Sequence, residues 1–100
     1  MGLEALGARA GKPFKLVAGF RNRGDLDTRG VVARLTLQEG LKLAPFEEPS
    51  RYVGSVRTGE LRQVEWWLVA EELGYYFARL DLSADNAPGV YKVALIEVRG

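Results

Sequence analysis

The sequence predicts an all-β protein folded as a two-sheet antiparallel sandwich of about seven strands. Apolar and polar residues alternate with the period of two that is typical of β-strands, and no segment has a convincing helical stripe. The alternating runs are short, recur at the spacing seen in sandwiches, and are separated by residues that favour turns. One hundred residues form one domain, and a chain of this size buries a single core without cross-links.

The first part of the chain provides three predicted strands. Residues 1–12 contain two interrupting glycines and are predicted to form a leader or an edge strand, so that the sandwich domain spans residues 13–100. Phe14–Arg21 alternates regularly and ends at a turn that contains Asn and Gly. Residues 31–37 form the next strand, and after a glycine break Leu41–Leu43 continues as a short one.

The second part of the chain provides four more strands. Residues 44–51 hold two of the four prolines, which predicts a connection between the sheets because proline cannot donate to a strand ladder. Strands are then expected at residues 52–56, 63–69, 75–82 and 91–98. The last of these is apolar on both faces, which indicates that it is covered or that it meets a partner.

Two residue types are missing, and their absence argues against most site chemistry. The chain has no histidine and no cysteine, so the usual general base near neutral pH and the usual ligands of zinc, copper and haem are not available. The serines lack a histidine that would activate them. We therefore expect no enzyme activity, no cofactor and no metal site.

The charged residues are interpreted as a solvated surface. Glu47-Glu48 and Glu71-Glu72 are adjacent pairs, whereas a glycosidase needs two carboxylates across a cleft. Four aspartates lack the ligand spacing of a calcium loop, namely Asp25, Asp27, Asp81 and Asp85. Six arginines that could line one surface are interleaved with acids, namely Arg21, Arg23, Arg29, Arg34, Arg57 and Arg62. With a net charge of +1, no nucleic-acid partner is expected.

Two further interpretations of the sequence concern the source of the protein and its relation to membranes. The arginine-rich usage, with few Asn and Gln, favours a thermophilic source with surface ion-pair networks, or alternatively a GC-rich genome. No apolar run approaches the roughly 20 residues that span a bilayer, so direct membrane insertion is not expected. The N-terminal residues also lack the apolar core of a signal peptide.

Four sequence motifs, taken in order, resemble bacterial immunoglobulin-like sandwich modules of the CARDB, NEW3 and DUF11 types. The first two are the turn Asn22-Arg23-Gly24-Asp25 and the segment over residues 35–43. The third combines Val53-Gly54-Ser55-Val56, Gly59-Glu60 and Val64-Glu65-Trp66, and the fourth is the late strand that starts at Gly74-Tyr75-Tyr76. The resemblance covers residues 13–98, and Gln38 occupies a position where these modules usually have proline. It implies an immunoglobulin-like fold and a non-catalytic accessory or adhesion role at the cell surface, in the periplasm or in a secreted protein.

Adjacent tryptophans give the most specific site prediction. Because neighbouring strand residues face opposite sides, Trp66 is predicted to lie in the core and Trp67 to point outward. If their strand shares a sheet with the late strand, Tyr75 and Phe77 lie beside Trp67, and the three form a candidate partner contact. Otherwise a loop, the leader or a neighbouring domain covers Trp67. The Tyr76 hydroxyl is predicted to form a hydrogen bond to the backbone, as in a tyrosine corner.

These features predict a structural or docking module of a larger bacterial extracytoplasmic protein. Its role would be that of a spacer, an adhesion domain or a protein contact, and its partner would be a protein or a neighbouring domain. Two alternatives remain open. One is a carbohydrate-binding accessory domain of a secreted glycoside hydrolase, which exposed coplanar aromatics would favour. The other is a stand-alone small subunit that pairs through an edge strand, residues 91–98.

Overall fold

The computed structural model describes residues 1–100 and contains eight strands and no helix. The strands are β1 (Gly2–Leu6), β2 (Phe14–Arg21), β3 (Thr28–Leu37), β4 (Leu41–Leu43), β5 (Ser50–Val56), β6 (Leu61–Ala70), β7 (Gly74–Ala84) and β8 (Ala87–Val98). They form two four-stranded sheets with the orders β1-β2-β6-β4 and β5-β3-β7-β8, and every strand pairing is antiparallel. The predicted two-sheet antiparallel sandwich is confirmed.

Strand number and strand length differ from the sequence prediction. The eighth strand is β1, which lies at a sheet edge and pairs with β2 from Gly2 opposite Gly19 to Leu6 opposite Lys15. The last strand begins at Ala87, where the sequence predicts a turn up to Gly89. It begins early because Asn86 closes the hairpin. The Asn86 side-chain amide accepts a hydrogen bond from the Arg29 N–H and donates one to the Asp27 carbonyl, which ties the turn to the loop before β3.

The core lies between the two sheets and is built from the inward residues of the alternating strands. Its largest fully buried side chain is Trp66, and the prediction that this residue belongs to the core is confirmed. Phe14, Leu16 and Leu68 pack with it, and Leu80 contributes from the opposite sheet. No charged or polar residue is buried, and no buried side-chain nitrogen or oxygen lacks a partner. The core is therefore entirely apolar, as unpaired buried polar groups would be costly.

The connection between β4 and β5 spans residues 44–49 and closes one side of the sandwich by passing from one sheet to the other, as the prolines predict. It is two residues shorter than the predicted connection over residues 44–51, because Ser50 and Arg51 belong to β5. The Trp66 indole Nε1 donates to the Glu48 carbonyl at 3.0 Å. The Glu47 carboxylate accepts from the Arg51 guanidinium at 2.6 Å and from the Trp67 backbone N–H. Glu47 is thus a structural carboxylate that anchors this connection, and its interpretation as a solvated residue is wrong.

The segment after β1 closes the opposite side. The backbone of Ala8 accepts a hydrogen bond from the Arg99 N–H, and the Ala10 N–H donates to the Arg99 carbonyl. The chain therefore crosses from the first sheet to the end of β8 in the second. The next residue returns to the first sheet, because the Gly11 N–H donates to the Ala70 carbonyl. Residues 8–11 consequently tie the ends of both sheets together.

Tyr76 forms the tyrosine corner that the sequence predicts. Its hydroxyl donates to the carbonyl of Glu72 at 2.9 Å, four residues upstream. The ring packs against Gly40, which has a φ of 96°, and a Cβ at that position would lie 2.8 Å from the ring carbon Cε1. Glycine is therefore required at position 40 both by its backbone conformation and by the close approach of the tyrosine ring.

The expected surface ion-pair networks are absent. Five ion pairs form, and no residue takes part in more than one of them: Lys15–Glu65, Arg51–Glu47, Arg62–Glu60, Arg79–Asp81 and Arg99–Glu97. Isolated exposed pairs contribute little to stability. No helix long and apolar enough to cross a membrane occurs in the structure.

Candidate docking surface

The two outer faces of the sandwich differ in chemistry. The face of the first sheet carries charged and polar residues in register, with Lys15 paired to Glu65 at 3.3 Å and Gln63 opposite Gly19. The face of the second sheet carries most of the exposed aromatic and large aliphatic side chains on strand positions. Because an apolar outer face is the informative exception on a monomer surface, the second sheet is the candidate site.

Five exposed apolar side chains form a contiguous patch on β7 and β8, which we call the β7–β8 face. Phe77 lies opposite Leu95 in the ladder, and Tyr75, two residues earlier on β7, points to the same side. Val93 and Tyr91 point to this side from β8 and continue the row beyond Leu95. Tyr75 is 63% exposed, Phe77 54% and Leu95 58%, while Tyr91 and Val93 are exposed to a similar degree. Side chains at these cross-strand and same-side positions are direct neighbours.

An arginine lies within the β7–β8 face and is already neutralised there. The Arg79 guanidinium lies 4.1 Å from the centroid of the Tyr91 ring and 3.0 Å from a carboxylate oxygen of Asp81. Its hydrogen bonds to Asp81 raise the pKa of Arg79 above its ordinary value. At the far end Glu97 pairs with Arg99 at 3.1 Å, and this contact raises the pKa of Arg99. The charged groups of the face are thus satisfied by one another.

The backbone of Phe77 is held by Gln38 at the end of β3. The Gln38 N–H donates to the Phe77 carbonyl at 3.0 Å, and the Gln38 side-chain oxygen accepts from the Phe77 N–H at 2.8 Å. One glutamine therefore extends the β3–β7 ladder by two hydrogen bonds beneath the patch. A proline, which the resembling modules usually have at this position, has no N–H to donate.

The free edge of β8 borders the same face. Arg99 directs both its N–H and its carbonyl to residues 8 and 10 instead of to β7. Residues two apart in a strand direct their backbone groups to the same side, so Tyr91, Val93, Leu95 and Glu97 direct theirs to the open edge. The other three edge strands are less available for pairing. β1 has five residues, β4 has three, and β5 is irregular where it pairs with β3.

The structure separates the three predicted contact residues into two locations. Tyr75 and Phe77 both lie on the β7–β8 face. Trp67 lies on the outer face of the other sheet, opposite Lys15, whose ammonium is 5.3 Å from the indole centroid. The condition that β6 and β7 share a sheet is not met, because the chain changes sheets at the corner between them. The expected three-residue patch is therefore wrong, and Trp67 is only 37% exposed.

Sequence reasoning missed Tyr91, Val93 and Leu95 as members of the site. The pattern contained a signal, since residues 91–98 are apolar on both faces. The pairing of β7 with β8 then places one of these two apolar sets beside Phe77. The register between the two strands was the missing information.

The acidic residues do not assemble a metal site. No group of three or more carboxylates lies close enough to hold an ion. Asp27 instead accepts a hydrogen bond from the Thr58 N–H at 2.8 Å. Asp81 is paired with Arg79 as described above. These carboxylates have structural partners within the chain.

Comparison with known proteins gives a fold but no family. No family model and no curated protein matches the chain. A similar solved structure is the crystal structure of the cupredoxin domain of amoB from Nitrosocaldus yellowstonii, with 15% identity and a TM-score of 0.50 over 88% of this chain. This chain corresponds to 56% of the length of that one. A likeness at this identity supports the β-sandwich fold alone.

The copper chemistry suggested by the name cupredoxin does not fit these residues. A blue-copper centre is held by two histidines and a cysteine, usually with an axial methionine. This chain has no histidine, no cysteine and a single methionine, Met1. The chain resembles that domain in its β-sandwich fold, but it lacks the residues that hold such a copper centre.

Proposed function

We propose that this chain is a non-catalytic immunoglobulin-like docking module of a larger bacterial extracytoplasmic protein. In this proposal the β7–β8 face contacts another protein or a neighbouring domain. The observation that carries the proposal is the contiguous row of exposed apolar side chains at Tyr75, Phe77, Tyr91, Val93 and Leu95. Five half-exposed side chains of this size amount to an apolar patch on the order of 500 Å², which is at the upper end for an ordinary monomer.

The composition of the face favours a protein partner. Tyrosine, phenylalanine and arginine are enriched at protein interfaces, and the face combines Tyr75, Tyr91, Phe77 and Arg79. Burying an unpaired charge would oppose docking, but Arg79 is already bound to Asp81 and to the Tyr91 ring. A partner could therefore cover this face without leaving a charge uncompensated. The extracytoplasmic location and the larger parent protein are inferred from the ordered sequence motifs that resemble bacterial surface modules.

A second candidate function is a small subunit that pairs with another copy through β8. The long free edge of this strand favours it, because Tyr91, Val93, Leu95 and Glu97 offer unpaired backbone groups. Lys92 weighs against this candidate. It lies opposite Leu80 on the inner side of β8, where a charge on an edge strand discourages pairing. We therefore place face-on docking first.

The carbohydrate-binding alternative receives less support from the geometry. Sugar-binding platforms need coplanar exposed aromatic rings, and Trp67 lies on the opposite outer face from Tyr75 and Phe77. The Trp67 ring is also approached by the ammonium of Lys15. On the β7–β8 face Tyr75 and Phe77 are neighbouring rings, whereas the Tyr91 ring lies further along the face, opposite Asp81, and is approached by the Arg79 guanidinium.

Photo-crosslinking in the source cells tests the proposal. The residue p-benzoylphenylalanine replaces Phe77 or Leu95 in the full-length native polypeptide, and crosslinked peptides are identified by mass spectrometry. Leu61 provides the matched control, because it is 53% exposed and lies on the first sheet, away from the face. We expect adducts from positions 77 and 95 to one partner surface, and few from position 61.

The site of the adduct separates the two candidate functions. Adducts to another protein or to another domain of the same polypeptide support docking through the face. Adducts that join residues 91–97 of one copy to the same residues of a second copy support the paired subunit instead. Equal labelling from all three positions, or no adduct at positions 77 and 95, would overturn the docking proposal.

A further inference from the structure

The free edge of β8 carries a row of backbone groups without partners in the chain. The hydrogen bonds of Arg99 set the phase of the strand, so that Tyr91, Val93, Leu95 and Glu97 direct their N–H and carbonyl groups away from β7. β8 is the outermost strand of its sheet and, with 12 residues, the longest strand of the chain. An extended segment of another chain can therefore join the sheet at this edge through main-chain hydrogen bonds.

Lys92 is the charged exception on the side of β8 that faces the first sheet. It lies opposite Leu80, and the next inward residues along the strand are Ala94 and Ile96. β1 lies over Ala94, which is half-buried, and over Ile96, which is buried. Lys92 lies near the start of β1 and is exposed. It takes part in none of the five ion pairs, so its charge is free to meet a partner.

A second copy of the chain does not neutralise Lys92 through this edge. Residues that lie directly opposite each other in an antiparallel ladder have their side chains on the same face. Lys92 would therefore meet an inward residue of the second β8. Those inward residues, none of which is acidic, are Val90, Lys92, Ala94, Ile96 and Val98. The only acidic residue of β8 is Glu97, whose side chain lies on the outer face. Pairing of two copies leaves both lysine charges uncompensated.

We propose that the free edge of β8 binds an extended segment of another protein that places a carboxylate beside Lys92. The segment adds antiparallel, as every strand of this molecule does, with apolar side chains beside Val93 and Leu95 on the outer face. Its acidic side chain lies on the inner side. In such complexes the main-chain hydrogen bonds supply affinity, and the alternate side chains supply specificity. Opposite charges across a ladder stabilise the pairing, whereas like charges destabilise it.

This inference is separate from docking through the β7–β8 face. It concerns the backbone edge and the inward side chain of Lys92, whereas the docking proposal concerns the outward side chains. Either can therefore fail while the other holds.

Titration of the chain with short synthetic peptides tests the inference, with amide chemical shifts in NMR as the readout. The probe is a peptide of about nine residues, within the usual length of a strand, that alternates threonine and valine and has glutamate in place of the central threonine. A second peptide has lysine at that position. In both peptides the threonines are N-methylated, so that only the edge formed by the valines can pair.

We expect the glutamate peptide to cause saturable shifts at the amides of Tyr91, Val93, Leu95 and Glu97. The lysine peptide should bind at least about three-fold more weakly, because it places a like charge beside Lys92. A glutamate peptide that is N-methylated at the valines instead should not bind, since it lacks the donors that face β8.

A charge reversal assigns the role of Lys92. We expect Lys92→Glu to bind the lysine peptide at least about three-fold more tightly than the glutamate peptide. Lys42→Glu is the matched control, because Lys42 is an exposed lysine without an ion pair on β4 of the first sheet. This control should keep the preference of the unmodified chain for the glutamate peptide.

Four results would overturn the inference. They are a glutamate peptide that does not saturate the chain, equal binding of the two peptides to the unmodified chain, an unchanged preference in Lys92→Glu, and shifts that lie away from β8. Self-association of the unmodified chain with shifts at the same four amides would also overturn it, in favour of pairing between copies.

Discussion

Phe77 and Leu95 lie directly opposite each other on the outer side of β7 and β8, and more than half of each side chain is exposed. Because neither packs against the core, we expect the double variant Phe77→Thr, Leu95→Thr to keep its stability within about 1 kcal/mol. Threonine is β-branched, and this shape suits a strand. Urea unfolding followed by circular dichroism measures this, and a loss above about 2 kcal/mol would show that the pair is structural.

The same variant should lose docking. Removing two apolar side chains from the centre of an interface costs about 2–4 kcal/mol of binding free energy. Leu61→Thr removes an equally exposed leucine from the other outer face and is the matched control. Once crosslinking has identified the partner, calorimetric titration should give weaker binding for the double variant and unchanged binding for the control. Equal affinities for all three proteins would exclude the β7–β8 face as the contact.

Trp66 should be far more important for stability than its neighbour Trp67. Trp66→Phe removes the hydrogen bond from Nε1 to the Glu48 carbonyl and leaves unfilled space in the core, so we expect a loss of about 2–3 kcal/mol. Trp67→Phe changes a partly exposed ring and should cost less than about 1 kcal/mol. The urea midpoints of the two variants measure the difference. Similar midpoints would contradict the assignment of Trp66 as the residue that joins the core to the connection between β4 and β5.

Gln38 is expected to stabilise the strand beneath the docking face. Gln38→Pro removes both hydrogen bonds to Phe77, and we expect it to cost about 2–3 kcal/mol. Gln38→Ala keeps the backbone donor and should cost roughly half as much. Amide hydrogen exchange at Phe77 should be faster in both variants, with the larger increase in the proline variant. Unchanged exchange would show that β7 does not depend on this extension of the ladder.

The hydrogen bonds to Glu60 in the turn at Arg57–Glu60 predict that part of the folding stability is lost at acidic pH. The Arg57 N–H and the Arg62 guanidinium donate to the Glu60 carboxylate and lower its pKa below the ordinary value of 4.5. The ionised form therefore favours the folded state. This stabilisation is present above about pH 4.5 and is lost as the pH falls through the lower folded pKa. The stability difference between the unmodified chain and Glu60→Gln should narrow as the pH is lowered through this range. A constant difference would contradict the assignment.

The fold class could be predicted from the sequence because strands leave a local pattern of alternating apolar and polar residues. Period-two alternation identifies the strands, and the inward position of Trp66 follows from its phase. The tyrosine corner at Tyr76 is likewise readable from the glycine and aromatic residues around it. The extra strand β1 was harder to recognise, because it is only five residues long and the glycines that follow it, Gly7 and Gly11, interrupt the pattern.

The site could be predicted only in part, since it depends on which strands share a sheet. Tyr75 and Phe77 were identified from their outward phase. Grouping them with Trp67 failed because β6 and β7 belong to different sheets, and no local pattern encodes that change. The resemblance to CARDB-type modules remains a prediction, because no family model matches the chain.

The most direct test of the docking proposal is hydroxyl-radical footprinting of the native protein in its assembled form, compared with the isolated chain. Oxidation rates of Phe77 and Leu95 report the exposure of the face, and the rates of Leu61 and Leu6 provide internal controls on the outer face of the other sheet. Our account predicts that oxidation at Phe77 and Leu95 falls several-fold in the native assembly while the controls do not change. Equal rates at Phe77 and Leu95 in both samples would contradict it.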